Sequence, residues 1–476
     1  MPECAGSRNL TPLPGDPEMT SLPIIVIGAG PVGLAAAAHL LDHGLEPLVL
    51  EAAPDIAAHV RDWAQVQLFS PWRYNIDQAT RALLEASGWQ APPPDGLPTG
   101  GELVDRYLRP LAALPPIAAR LRLNHRVTAI SRQGVDKVKT AGRAATPFVV
   151  RVATLAGDTE LLASAVLDAS GTWSTPNPMG ANGLPAIGET TNAARIAYGI
   201  PDVLGAARAR YAGKRVLVIG AGHSAANALL DLATLGEEQP GTGVVWAVRG
   251  SDDLRRVFGG GDGDALHARG ALGTALRRRQ ESGAIELITG FRAAAVVAED
   301  GRLAVEDGGG RRIAGIDEII VATGQRPDLA PLRELRLRLD PWLECAAALG
   351  PLIDPNLHSC GTVRPHGVRE LTHPEPGFYT VGVKSYGRAP TFLMATGYEQ
   401  VRSIAAFLAG DLDAAHAVKL DLPETGVCSS DLPSAAATQQ DTGYCGVPAP
   451  AASCCAPEPV LVAPGQAGGC CGPHAP

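Results

Sequence analysis

Two stretches of the chain repeat one pattern of apolar and polar positions. In the first, the β-branched run Ile24–Ile27 is followed by a glycine cluster, the Ala/Leu-rich segment Leu34–Leu41 and the apolar run Pro47–Leu50. In the second, Val216–Ile219 precedes glycines, another Ala/Leu-rich segment and the run Val244–Val248. Short apolar runs that alternate with helical segments are typical of buried parallel strands with crossover helices. The pattern therefore predicts an α/β fold with two Rossmann-like dinucleotide-binding domains.

The first glycine cluster has the spacing G-x-G-x-x-G, at Gly28, Gly30 and Gly33. The first glycine permits a tight turn, the second lets a pyrophosphate approach the backbone, and the third lets the helix lie close to the strand. Glu51 ends the next strand, about 20 residues on, where an acceptor for ribose hydroxyls belongs. These residues predict a dinucleotide site. The alternative is a glycine turn without a ligand.

The second glycine cluster reads G-x-G-x-x-A, at Gly220, Gly222 and Ala225. The strand that follows it ends in Arg249 where the first unit has an acid. A cation at this position suits a 2′-phosphate, so the sequence favours NADPH over NADH. The arginines at 255–256 could share this role, and a surface arginine without a phosphate partner is the alternative.

Further apolar runs mark where the chain passes between the two domains. The run Ala165–Asp168 leads into Ser170–Gly171 and a proline-stiffened linker, and the run within 316–328 closes with Thr323–Gly324 and is expected to return to the first domain. The predicted units are a flexible N-terminal tail at 1–21, a first dinucleotide-binding domain at 22–175 and 315–410, a second at 176–314, and a Cys-rich low-complexity tail at 411–476.

Charge and hydropathy exclude several classes of protein. The formal net charge of the 476 residues is −9 and no long basic run occurs, which argues against a nucleic-acid-binding surface. No apolar stretch reaches the ~18 residues of a membrane span. The N-terminal segment contains prolines and acidic residues and lacks the apolar core of a signal peptide. We therefore expect a cytoplasmic protein that binds neither nucleic acid nor membrane.

Cysteines are concentrated near the C-terminus, where the chain is rich in Ala, Pro, Gly and Ser and is expected to be disordered. Thiolates favour soft ions such as zinc, copper(I) and trivalent arsenic, so this tail is a candidate site for a soft metal or metalloid. A tail with incidental thiols is the alternative. The six candidate ligands are Cys428, Cys445, Cys454, Cys455, Cys470 and Cys471.

Two smaller clusters are also candidates for chemistry. Four aromatic side chains between Trp63 and Tyr74 could form a wall beside a planar cofactor ring, or a small satellite core, in a chain with only 4% aromatics. His358, Cys360 and His366 lie within nine residues of each other. They are candidates for a substrate or metal role, and local hydrogen bonds in a turn are the alternative.

A family resemblance extends over residues 22–410. It is carried by the two dinucleotide folds in order, the D-A-S-G crossover at 168–171 and the V-A-T-G strand end at 321–324. The chain resembles the two-dinucleotide-binding flavoproteins, specifically the flavin-dependent monooxygenases. The resemblance implies FAD at the first glycine motif and NADPH at the second. The N-terminus of the last helix, near 395–410, could place backbone N–H groups against the flavin and stabilise negative charge on the reduced ring. The candidate cofactor-binding residues are Gly28, Gly30, Gly33, Glu51, Trp63, Val127, Ser170, Gly171, Gly220, Gly222, Ser224, Ala225, Arg249, Thr323, Gly324, Gly382 and Thr396.

One motif of that family is not intact. The F-x-G-x-x-x-H fingerprint is missing ahead of the second glycine cluster, and Tyr198 lies near the expected histidine. The missing fingerprint weakens the prediction of an oxygenation step. It does not change the prediction of the two cofactors. Catalytic residues therefore stay undetermined, with Tyr198, His358 and Cys360 as candidates. A narrower resemblance, carried by the segments at 70–77 and 352–367 and by the Cys-rich tail, is to flavin monooxygenases encoded with arsenic-resistance genes.

Three functions are compatible with these features. The first is an FAD- and NADPH-dependent monooxygenase that uses oxygen to oxidise a small soft nucleophile such as trivalent arsenic. The second is a disulfide or metal-ion reductase of the thioredoxin-reductase type, which would need tail cysteines such as Cys470 and Cys471. The third is a non-catalytic flavin-bearing protein that binds metalloid. A homodimer is compatible with each of them.

Overall fold

The computed structural model describes residues 22–250, Phe258, 267–358 and 363–420. The predicted N-terminal tail, Arg255, Arg256, Cys360 and the six tail cysteines lie outside these residues. Within the described ranges, no helix combines the length and the apolar character that crossing a membrane requires.

Most strands are short and apolar, as the sequence pattern predicts. The strands are β1 Ile24–Ile27, β2 Pro47–Leu50, β3 Leu121–Arg122, β4 Arg126–Arg132, β5 Phe148–Thr154, β6 Gly157–Ala163, β7 Ala165–Asp168, β8 Ile196–Tyr198, β9 Arg215–Ile219, β10 Gly243–Ala247, β11 Glu286–Ile288, β12 Ala293–Glu299, β13 Arg302–Asp307, β14 Arg312–Ile316, β15 Glu318–Val321 and β16 Phe378–Thr380.

Helices connect the strands and cover the sheets. The α-helices are α1 Pro31–Asp42, α2 Ala58–Arg61, α3 Trp72–Asn75, α4 Gln78–Ala86, α5 Gly100–Leu103, α6 Arg109–Ala113, α7 Pro115–Ala118, α8 Arg208–Tyr211, α9 His223–Glu238, α10 His267–Glu281, α11 Gly350–Ile353, α12 Val368–Leu371, α13 Met394–Leu408 and α14 Leu412–His416. A π-helical turn, Val104–Leu108, joins α5 to α6, and 3₁₀ turns cover Arg143–Ala145, Ala193–Arg195, Ala330–Leu332 and Gly382–Tyr386.

The first dinucleotide-binding unit is a parallel sheet in the order β16-β7-β1-β2-β3. Its central strand β1 is buried on both faces, because its four β-branched residues pack against helix α1 on one side and the β4–β5–β6 sheet on the other. The chain runs from β1 to β2 in one direction and returns to β7 on the other side. A ligand crevice therefore opens at the carboxyl ends of β1 and β7, where the strand order reverses.

The second unit repeats this arrangement, with a parallel sheet in the order β11-β10-β9-β15-β8. Its crevice lies at the carboxyl ends of β9 and β15. Apolar side chains from the two faces of this sheet form two separate cores, one beneath α9 and the other against the antiparallel sheet β12-β13-β14. The α/β fold with two Rossmann-like units is thus confirmed.

Strand β15 corrects the predicted domain boundary at 315. It pairs in parallel with β9 and β8 of the second sheet and does not return to the first. Glu318 on this strand accepts hydrogen bonds from Arg210 at 2.7 Å and from Lys214 at 3.3 Å, both in the second unit. The four residues of β15 are mostly apolar and would fit the interior of either sheet. Only the observed strand pairing therefore assigns β15 to the second unit.

The chain crosses between the units through two antiparallel segments that lie side by side. The Asn177 N–H donates to the Gly324 carbonyl at 2.9 Å, and the Arg326 N–H donates to the Thr175 carbonyl at 3.0 Å. The return to the first unit therefore occurs at about this point. Helix α14 lies beyond the predicted domain end at 410 and is held by Arg402 and Ser403, which donate to carbonyls at its end.

Candidate functional site

The turn after β1 leaves an open position above its second glycine. Gly28 has a φ of +95°, and a Cβ there would lie 2.9 Å from the Ala169 carbonyl oxygen. A Cβ on Gly33 would overlap the Gly28 carbonyl oxygen, whereas a Cβ on Gly30 would have no atom within 4 Å. Gly30 is also the N-cap of the 12-residue helix α1, so this space lies at the N-terminal end of the helix, where the N–H groups that directly follow Pro31 lack partners within the helix. The turn therefore fits a pyrophosphate, which needs open space against backbone N–H groups.

Glu51 lies where the sequence places the ribose acceptor. One carboxylate oxygen accepts a hydrogen bond from the Ala29 N–H at 2.7 Å, and the other accepts from the Ala53 N–H at 2.9 Å. The carboxylate is partly buried and is held against the glycine turn. Each carboxylate oxygen has two lone pairs, so acceptor capacity remains for ribose hydroxyls.

One cavity of about 620 Å³ joins this turn to most of the other predicted residues of the first unit. This volume is in the range of ligand pockets, 300–1,000 Å³. A second cavity, of about 570 Å³ beside the β4–β5–β6 sheet, touches neither glycine turn. The predicted cofactor residues in the wall of the larger cavity are Gly28, Gly30, Glu51, Trp63, Val127, Ser170, Gly171, Ser224 and Gly382.

A buried ion pair also lies in this wall. Lys384 Nζ donates to Asp168 Oδ2 at 2.7 Å and to Ser170 Oγ at 3.0 Å. The Ser170 hydroxyl in turn donates to Asp168 Oδ1 at 2.7 Å. Ser170 is a residue that the sequence predicts in the site, whereas Asp168 and Lys384 were not predicted there. A lysine in the otherwise apolar segment after the last strand was the only signal, and its partner lies 216 positions earlier.

The helix that follows the second glycine turn begins in the wall of the same cavity. Gly220 has a φ of +140°, Gly222 precedes helix α9, and a Cβ on Gly222 would have no atom within 4 Å. His223 and Ser224, the first two residues of that helix, line the cavity together with Arg269 from α10. The open space above Gly222 therefore also fits a pyrophosphate, and the helix that begins beside it lines the cavity that contains the first turn.

Phe69 connects the two units at this point. Its ring packs edge-on against the His223 imidazole, with centroids 4.8 Å apart and planes at 64°. Phe69 and Trp63 line the cavity, whereas Trp72 lies in the core of the first unit. The aromatic cluster thus divides between the two predicted roles, cavity wall and core.

Other predicted cofactor residues lie outside the cavity wall. The Arg249 guanidinium is exposed and donates to the Ala181 carbonyl at 3.1 Å. The Thr323 hydroxyl donates to the Asn177 carbonyl at 2.8 Å, at the crossover that includes Gly324. Thr396 is buried in the first turn of α13, and Ala225 is buried in the core beneath α9.

Of the catalytic candidates, Tyr198 and His358 are not among the residues that line the cavity, and Cys360 lies outside the described residues. The Tyr198 hydroxyl donates to Glu189 at 2.6 Å, and burial together with this carboxylate raises its pKa. His358 Nε2 lies 2.9 Å from the Pro351 carbonyl oxygen. Burial raises the pKa of the Cys345 thiol to about 12, which makes it a poor nucleophile at neutral pH.

His366 takes part in a buried polar network behind the cavity. Gln400 Nε2 donates to Ser385 Oγ at 2.8 Å and also lies 2.8 Å from His366 Nε2. The Oε1 atom of Gln400 accepts a hydrogen bond from the Gly382 N–H at 2.8 Å. Burial lowers the pKa of His366. This network fixes the turn that carries Gly382 and Lys384. Over the described ranges, no group of three or more His, Cys, Asp or Glu side chains could hold a metal ion.

The geometry agrees with comparisons to known proteins. A family model described as pyridine nucleotide-disulphide oxidoreductase matches residues 25–345, which is more than half of the chain. The chain belongs to the pyridine nucleotide-disulphide oxidoreductase family. This membership makes the protein an oxidoreductase and confirms the two expected cofactors, FAD and NADP(H).

Proteins that are similar to this chain in sequence or fold have diverse activities. The chain is 24% identical over 413 residues to a ferredoxin–NADP reductase of Acidovorax sp. (strain JS42), covering 86% of this chain and 94% of that protein. Its fold is similar to that of a bacillithiol disulfide reductase from Bacillus cereus (TM-score 0.59, 18% identity, 82% and 99% coverage). It is also similar to that of a cadaverine monooxygenase from Erwinia amylovora (TM-score 0.55, 15% identity, 84% and 96% coverage).

Proposed function

We propose that this pyridine nucleotide-disulphide oxidoreductase is an NADPH-dependent flavin monooxygenase that oxidises a small soft nucleophile. The overall reaction consumes the substrate, oxygen, NADPH and a proton, and it yields the oxygenated substrate, NADP⁺ and water. When bound, FAD supplies the two-electron chemistry that links NADPH to oxygen. The chain's own residues hold the two nucleotides, exclude water and position charge.

One observation carries this proposal. The first glycine turn and the start of the helix after the second glycine turn, His223 and Ser224, line one cavity, and no cysteine is among its described lining residues. The sequence contains no cysteine at all between Cys4 and Cys345. A disulfide reductase with its cysteine pair in the folded body has no residues for that role in this stretch. The geometry therefore favours a small acceptor that enters the cavity itself.

The cavity wall on the side of the first unit suits an oxygen-dependent reaction. Trp63, Phe69, Phe392 and Met394 give it an apolar surface. Such a surface excludes water, which strengthens electrostatic interactions and protects reactive species from solvent. The polar groups in the same wall include Ser170 and Lys384, which are held in place by hydrogen bonds.

We propose trivalent arsenic as the substrate class, with sulfur nucleophiles as the next choice. Both have the lone pair that an electrophilic oxygen donor requires. The six tail cysteines support this choice, because thiolates are preferred ligands of soft centres. In this proposal the tail captures the metalloid and the chemistry takes place in the cavity.

A second candidate is a reductase that passes electrons to a separate redox protein. The similarity to a ferredoxin–NADP reductase along 94% of that protein's length favours it. A disulfide reductase that uses a tail pair such as Cys470 and Cys471 is a third candidate, and the fold likeness to a bacillithiol disulfide reductase is compatible with it.

Acceptor specificity separates these functions. The purified holoprotein would be given NADPH with oxygen plus arsenite, with a small aromatic disulfide, or with ferredoxin, the last two under anaerobic conditions. The proposal predicts fast NADPH oxidation that requires oxygen and increases with arsenite. Fast anaerobic oxidation with the disulfide or with ferredoxin, and none that depends on oxygen, would establish the corresponding reductase instead.

A further inference from the structure

Lys384, Asp168 and Ser170 form a charged cluster in the wall of the shared cavity. The side chains of Lys384 and Asp168 are 3% and 2% exposed, so solvent screens them little. An ammonium group has three N–H donors, and the hydrogen bonds to Asp168 and Ser170 use two of them. One donor of Lys384 therefore remains for a ligand in the cavity.

The order of the first sheet indicates which part of FAD this cluster faces. FAD is a linear molecule with adenosine at one end, a central pyrophosphate and the flavin at the other end. Glu51, the ribose acceptor, follows β2, and the glycine turn for the pyrophosphate follows β1. Strands β7 and β16 lie on the opposite side of β1 from β2. A cofactor whose adenosine half lay beside β2 would extend its flavin half toward the carboxyl ends of β7 and β16, where Asp168 and Lys384 are located.

We propose that Lys384 sets the reduction potential of the flavin by balancing the charge of Asp168. NADPH gives up a hydride, two electrons with one proton, and becomes NADP⁺, so the reduced cofactor carries one more negative charge than the oxidised one. A fixed ammonium in a wall of low dielectric stabilises that added charge, and an unbalanced Asp168 carboxylate opposes it. The inference rests on FAD occupying this cavity and not on the acceptor that later receives the electrons.

Charge variants of the holoprotein test this role. Lys384→Met should weaken the binding of reduced FAD relative to oxidised FAD by about tenfold, which lowers the two-electron midpoint potential by about 30 mV. Asp168→Asn should shift the potential in the opposite direction by a similar amount. The double variant should bind the two redox forms in a ratio within about threefold of the wild type, or about 15 mV, because the two charge changes cancel.

Lys214→Met is the matched control, because it removes the same charge from an ion pair outside the cavity wall. Thermal unfolding of each apoprotein separates loss of charge from loss of fold. Single variants that shift the potential in the same direction, or that both leave it at the wild-type value, would overturn the proposal. If Lys384→Met fails to retain FAD, Asp168→Asn decides alone: a raised potential supports the proposal, and an unchanged or lowered one overturns it.

The potentials are measured anaerobically and without substrate. A failure of oxygenation therefore leaves this result intact, and an unchanged potential leaves the proposed monooxygenase activity standing. The two proposals fail separately.

Discussion

The Glu51 carboxylate and the Ala29 backbone N–H are joined by a hydrogen bond of 2.7 Å. This bond fixes the predicted ribose acceptor, at the end of β2, to the glycine turn that follows β1. Two parts of the predicted nucleotide site are thus oriented by each other without a ligand. Such preorganisation reduces the ordering cost of binding.

Two glycines of that turn should respond differently to substitution. Gly30→Val places a side chain in the open space, so we expect loss of FAD from a protein that otherwise folds normally. Gly33→Ala places a methyl group on the Gly28 carbonyl oxygen, so we expect lower thermal stability even of the apoprotein. The flavin-to-protein ratio and the melting temperature of each variant measure the two effects. A Gly30→Val protein with stoichiometric flavin would contradict the assignment.

Arg249 should determine the preference for NADPH. It lies two residues beyond the end of β10. Strand β10 is the neighbour of β9, which leads into the second glycine turn. Arg249→Ala should raise the KM for NADPH about tenfold more than the KM for NADH, a loss of about 1.4 kcal/mol. Arg195→Ala is the control, because this arginine also donates to a carbonyl in the second unit. Equal changes in the two KM values would show that Arg249 does not contact the 2′-phosphate.

Acid should destabilise the first unit through His373. Burial lowers the pKa of this imidazole from 6.5 to about 4. Between these pH values the unfolded chain binds a proton that the folded protein does not, so the free energy of unfolding falls as pH decreases. The expected loss by pH 4 is about 3 kcal/mol.

Urea unfolding between pH 7 and pH 4 measures this effect. The decrease in stability should be smaller for His373→Gln than for the wild type, and His43→Gln, a substitution at a partly exposed position, should follow the wild type. A His373→Gln curve parallel to that of the wild type would exclude His373 as the group responsible.

The cysteine tail should bind metalloid without affecting electron transfer. Deleting residues 425–476 should leave FAD content and NADPH-driven flavin reduction unchanged and should weaken arsenite binding, because it removes six thiols. Isothermal titration of arsenite into reduced full-length and truncated protein measures the difference. A full-length chain with the six tail cysteines changed to serine controls for loss of the tail itself. Identical titrations for all three forms would shift the proposed substrate toward sulfur or organic nucleophiles.

Part of the candidate site was predictable from the backbone conformation that its turns require. The turns at Gly28 and Gly220 require glycine because both residues have positive φ, so the sequence identifies them directly. Which of the two parallel sheets contains β15 was not predictable, because the side chains of β15 would fit the interior of either sheet. The pairing of Asp168 with Lys384 was not predictable either, because it depends on β7 and β16 becoming neighbours in space.

The fate of oxygen tests the central claim most directly. Holoprotein, NADPH and arsenite would be mixed under isotopically labelled oxygen gas, and the oxidised product would be analysed by mass spectrometry together with the NADPH consumed. The monooxygenase account predicts one labelled oxygen atom in each product molecule and one NADPH oxidised per product. Product without label, or NADPH oxidation that continues unchanged without oxygen, would contradict it.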